Sequence, residues 1–183
     1  MSETVIREHA QAKGFHPQTL ERWLSWETSA RDALLTLALD LKISENHLRD
    51  LMDWLEEAAL RDGAAIVALL ARQSIDDIKT DPRLGRADKL KRIKEQVRRL
   101  RFPRLAQTED EIRQNIQALK LQPAIRLSVA PGLEGGRLQV EFSAATSEEL
   151  ANLSAQLNQA AAKAEGGEIF RLLAGRESDE KTK

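Results

Sequence analysis

A chain of 183 residues suggests one domain or two small ones. Its composition, 42% hydrophobic and 31% charged with only 4% aromatic residues, calls for a core of Leu, Ile, Val and Ala and favours helix over sheet. The absence of Cys excludes disulfides, Cys-ligated zinc, iron–sulfur clusters and a thiol nucleophile, and a net charge of −1 does not by itself mark a binder of polyanions.

Residues 3–13 read as a short helix ended by Gly14, and Phe15-His16-Pro17 turns the chain into a second helix with Leu20, Trp23 and Leu24 on one face. From Ala30 to Leu41 apolar residues recur at three- and four-residue spacings. Ser44 is placed to cap the next helix, whose stripe is Leu48, Leu51, Met52, Leu55, Ala58 and Ala59 before Gly63 stops it. Ala64 to Ala71 is a short buried helix. The stretch from Leu37 to Leu51 fits a helix–turn–helix, with Leu37, Ala38, Leu41, Ile43, Leu48 and Leu51 as its packing positions. Its outward face would offer Lys42, Ser44, Asn46, His47 and Arg49 to DNA, beside Glu45, Asp50 and Asp53, which phosphates would repel. An αα-hairpin packed on its neighbours fits the same positions. His9 to Trp23 is a poorer second match, because Lys13 stands where an apolar residue belongs. Trp23, Trp26 and Trp54 read as core or interface anchors.

Asp81-Pro82 and Gly85 mark a joint. The run from Arg83 to Arg104 holds ten basic side chains opposed only by Asp88 and Glu95, a segment charge of +8 that leaves −9 for the remainder. A helix over Lys89–Leu100, stopped by Pro103, would present Arg86, Lys89, Lys91, Arg92, Lys94, Arg98, Arg99, Arg101 and Arg104 to DNA phosphates. Long basic stems that merely cover apolar surface, or that dock on an acidic protein, are the competing readings. Thr108-Glu-Asp-Glu111 predicts a capping box starting a helix that runs through Leu119.

The period then changes to two. Ile125, Leu127 and Val129, and then Leu138, Val140 and Phe142, alternate with polar residues around a Gly-rich turn, the pattern of a β-hairpin. Thr146-Ser-Glu-Glu149 caps a helix with Leu150, Leu153 and Leu157 along one face, Gly166-Gly167 breaks it, and 169–173 is an apolar coda. A lone hairpin under one helix is marginal in water. A two-fold homodimer through Ile125, Leu127, Leu138, Val140, Phe142, Leu150, Leu153 and Leu157 would cover it, as would packing on the chain's own N-terminal helices.

The expected fold class is therefore mainly α with a small C-terminal β-hairpin (α+β): a helical bundle containing a helix–turn–helix-like pair, a basic helix, then a ββα dimerisation unit. The expected divisions are 1–80, with the helix–turn–helix-like segment at 37–55; 81–121, a basic and a connecting helix; 122–174, the ββα unit; and 175–183, a disordered tail. No Gly-rich phosphate loop or His-Glu-x-x-His occurs, and adjacent acids such as Glu56 and Glu57 diverge on a helix. No enzyme, metal or cofactor is expected. The first residues lack a signal-peptide pattern and no segment approaches the roughly 18 apolar residues that cross a bilayer, so a cytoplasmic location without a membrane partner is expected.

The segment Leu37-Ala-Leu-Asp-Leu-Lys-Ile-Ser-Glu-Asn-His-Leu-Arg-Asp-Leu resembles the helix–turn–helix of ParB-type chromosome and plasmid partition proteins. Gly136-Arg-Leu-Gln-Val-Glu-Phe followed by Ser147-Glu-Glu-Leu150 is similar to the C-terminal dimerisation unit of that family. The resemblance implies a DNA-binding centre and a dimerising C-terminus that also holds DNA without sequence preference. Lys42 stands where the turn often has Gly, and no counterpart of the family's N-terminal nucleotide-binding domain is present, so CTP is not implied.

Overall fold

A computed structural model describes residues 3–175; most of the expected tail at 175–183 lies outside them. The chain is mainly helical with one small antiparallel hairpin, and it divides between Pro103 and Arg104 into two compact units.

The first unit contains α1 (Glu3–Lys13), α2 (Pro17–Leu24), α3 (Thr28–Leu41), α4 (Glu45–Asp62), α5 (Ile66–Leu70), α6 (Gln73–Thr80) and α7 (Arg86–Arg101). The three- and four-residue spacing of Leu48, Leu51, Met52, Leu55 and Ala58 puts all five on one face of α4, and all five are buried. Gly63 ends that helix at φ 62°, a left-handed position that glycine adopts without a Cβ clash. α7 contributes Ile93 and Val97 to the same core, which also encloses Trp23, Leu34, Leu35 and Ile43. α5 lies against α3 and α4, and α7 lies against α3, α4 and α6. The basic helix is thus part of the N-terminal unit. α6, which periodicity did not predict, buries only Ile75 and would give little signal.

The second unit follows from α8 (Pro103–Ala118), β1 (Arg126–Val129), β2 (Leu138–Glu141), α9 (Ser147–Ala161) and α10 (Ala164–Leu173). β1 and β2 pair with Leu127 opposite Val140 and Val129 opposite Leu138, as the alternation requires. Ile112, Leu119, Leu121, Ile125, Leu127, Leu153, Ile169 and Leu172 form its core.

Two local expectations are corrected. α8 begins at Pro103, whose fixed φ suits a first helical position, so Thr108 is interior. Its hydroxyl donates to the Arg104 carbonyl at 3.1 Å instead of capping. Gly166 and Gly167 lie inside α10, and the break falls before them, at Ala162 and Lys163. At the second capping box Thr146 caps α9 as expected, the Glu149 amide donating to Thr146 Oγ1 at 3.1 Å, while the Glu149 carboxylate accepts from the amide of Ala145, one residue before the cap, at 2.7 Å.

Candidate nucleic-acid interface

The six packing positions of the helix–turn–helix-like segment, Leu37, Ala38, Leu41, Ile43, Leu48 and Leu51, are all buried. α3 and α4 each pack against α5 and α7. Between them Lys42 adopts φ 52°, ψ 47°, the left-handed conformation that the turn imposes on whatever residue occupies it. Ser44 stands at the N-cap of α4 without a side-chain capping bond. Lys42, Ser44, Asn46, His47 and Arg49 are exposed.

The acids of α4 are turned to neighbours. Glu45 reaches α2, accepting from Thr19 Oγ1 at 2.6 Å and from the His16 amide at 3.0 Å; these bonds, the hydroxyl's first, hold its carboxyl below the usual range. Asp50 accepts from Lys94 at 2.6 Å. Arg22 donates to Asp53 at 2.5 Å and to Glu56 at 2.6 Å, and Trp26 Nε1 donates to Glu56 at 2.6 Å. Glu57 takes Arg101 at 2.6 Å. The expected repulsion of phosphate by this helix is therefore largely cancelled within the unit.

α7 runs beside α4 in the same direction: Lys94 meets Asp50, Arg101 meets Glu57, and Arg61 donates to the carbonyls of Leu100 and Arg101 that the end of α7 leaves unpaired. The first half of α7 flanks the segment from α3 to α4. Arg86 and Lys89 line a depression with Leu37, Asp40 and Leu41 of α3. Lys91 and Lys94 line a groove with His47 and Trp54 of α4, and Lys94 Nζ lies 3.0 Å from His47 Nδ1 and 5.4 Å from the Trp54 ring centre. Arg49 lines a cleft with His16, which caps α2, and with Gln18, Thr19 and Arg22 of that helix.

The basic residues do not act as one block. Arg83 is bonded to Asp81, and this charge-assisted pair keeps the Asp81 carboxyl down at about 2. Lys89 donates to the Lys79 carbonyl at 2.7 Å, Arg98 grips both oxygens of Glu95 at 2.8 Å, Arg99 also has partners, and Arg104 belongs to α8 in the second unit. The side chains of Lys42, Arg49, Arg86, Lys91 and Arg92 are exposed and form no hydrogen bond or salt bridge with another described residue, although Arg49 acts electrostatically on Glu45 and Arg92 on Asp81. The charge contrast along the sequence shrinks in space: residues 1–103 hold 18 Lys and Arg against 17 Asp and Glu.

Among the side chains expected at a dimer interface, Ile125, Leu127 and Leu153 are buried in the second unit's own core. Leu138, Phe142 and Leu157 are partly buried against it, and Val140 and Leu150 are exposed. Sequence reasoning passed over Phe170, which is exposed, and Trp54 as a groove residue, although its spacing of seven from His47 already placed both on one face of α4. Among the described residues no group of three His, Asp or Glu is placed to hold a metal ion, and no helix is long and apolar enough to cross a membrane. No protein-family model, curated protein or solved structure matches the chain.

Proposed function

We propose that this chain is a non-enzymatic, homodimeric DNA-binding protein of partition-like or regulatory type, acting in the cytoplasm. One observation carries the reading. Five exposed cations whose side chains form no hydrogen bond or salt bridge with another described residue, Lys42, Arg49, Arg86, Lys91 and Arg92, lie in the turn, along the first turns of α4 and along the half of α7 that flanks them, while Glu45, Asp50 and Asp53 of α4 are bonded to other residues. Exposed cations beside a helix N-terminus favour phosphates, whose capture releases counterions. Asn46 and His47 are the side chains in that first turn with hydrogen-bonding groups for base edges.

The test is fluorescence anisotropy of a labelled random-sequence duplex of about 30 base pairs, titrated at two salt concentrations. Binding should fall steeply with salt, and the triple variant Arg86→Gln, Lys91→Gln, Arg92→Gln should lower the log–log slope by about 2.7, roughly 0.9 for each phosphate contact. Absence of binding at low salt would refute the reading.

A further inference from the structure

The groove between α4 and α7 has features that a phosphate backbone does not use. On α7 it is lined at positions 87, 90, 91, 94, 95 and 98, a three- and four-residue spacing that makes one stripe about 16 Å long at a rise of ~1.5 Å per residue. Trp54, Leu90 and Ala87 give it an apolar floor, and the groove is open to solvent along one side. A small molecule would be left largely uncovered there, whereas pockets for such ligands enclose most of their surface. Duplex DNA would gain nothing from the floor. Two helices lying side by side in the same direction instead leave a channel that fits a third helix as the next member of a bundle.

The rim sets the sign of the occupant. Lys91, Lys94 and Arg98 line it; Lys94 is bonded to Asp50 and Arg98 to Glu95, so the excess positive charge is that of Lys91, which forms no salt bridge with a described residue. We infer that this groove docks an acidic amphipathic helix from a partner protein, with its apolar seam on Trp54 and Leu90 and a carboxylate at Lys91. Lys91 belongs both to this groove and to the proposed DNA surface, so the helix and the duplex exclude one another there.

The test uses the full chain and a fluorescein-labelled helical peptide of roughly 18 residues with a Leu seam flanked by Glu, alongside a twin carrying Lys in place of each Glu. The Glu peptide should bind and change the tryptophan emission. That change should be lost in Trp54→Phe, a substitution that keeps an aromatic ring on the floor. Lys91→Glu, at an exposed position, should weaken the Glu peptide about fivefold or more, the scale of one lost and reversed charge pair, and the Lys twin should not bind. No binding of the Glu peptide at low salt overturns the inference, as does equal binding of the twin, which would mean apolar adhesion alone. A tryptophan response to a single-stranded oligonucleotide but not to the peptide also overturns it, by making nucleic acid the occupant. None of these outcomes depends on whether the duplex binds.

Discussion

At Lys42 conformation and charge pull in different directions. A non-glycine residue at φ 52° crowds its Cβ against the following carbonyl at a cost of roughly 1–2 kcal/mol, and glycine would remove that strain while restoring some chain entropy to the unfolded state. Lys42→Gly should therefore stabilise the first unit by about 1 kcal/mol, read as a higher denaturant midpoint with unchanged slope. If the exposed ammonium contacts phosphate, the same substitution should weaken duplex binding and lower the salt slope by about 0.9. Greater stability with unaltered affinity would remove Lys42 from the interface. The left-handed turn was legible because the position follows the last periodic residue of α3. The engagement of Glu45 was not, because its partners Thr19 and His16 lie 26 and 29 residues away in sequence and no local pattern announces them.

Helices and strands follow period closely, but their ends follow competition between local bonds. Both capping-box sequences carry the same chemistry, yet only Thr146 caps a helix, since Pro103 starts α8 five residues before Thr108 and leaves the hydroxyl a neighbour's carbonyl to bond. The glycine pair in α10 shows the same limit. A Cβ on Gly166 would meet the Ala160 carbonyl oxygen at 2.8 Å, whereas one on Gly167 would meet nothing within 4 Å. The first glycine lets α10 turn tightly against the end of α9, a close approach that composition cannot reveal and that sequence reasoning took for a break. Gly166→Ala should destabilise the chain, because displacing backbone costs about 1–3 kcal/mol and outweighs a helix-propensity gain near 1. Gly167→Ala keeps only the gain and should stabilise by about 1 kcal/mol. Thermal unfolding of the two variants side by side measures the difference, and equal shifts would show that α10 adjusts freely.

For the molecule as a whole, charge summed along the chain proved a weaker guide than charge summed in space. The α7 cations Lys94 and Arg101 meet Asp50 and Glu57, each 44 residues earlier, so the candidate site contracts from a long basic helix to the part of α7 that flanks the start of α4. Apolar surface shows the opposite imbalance in the second unit. Its two strands pair only with each other among the described residues, leaving an open edge on each, and Val140, Leu150 and Phe170 remain 42%, 48% and 56% exposed. With Ile125, Leu127 and Leu153 already committed to the protomer's core, a homodimer would rest on these outer side chains. A two-fold axis makes each of them count twice. At about 1.5–3 kcal/mol for burying a fully exposed aliphatic side chain, and with about half of Leu150 left to bury on each copy, Leu150→Glu would forfeit roughly 1.5–3 kcal/mol of association and raise the dimer dissociation constant by at least about tenfold. Light scattering on the unsubstituted chain should give twice the 20.5 kDa chain mass. Leu150→Glu and Val140→Glu should each return the single-chain mass at micromolar concentration, with helical circular dichroism unchanged because both positions are exposed in the protomer. A single-chain mass for the unsubstituted protein at every concentration would exclude the homodimer and leave any DNA binding to one copy of the first unit.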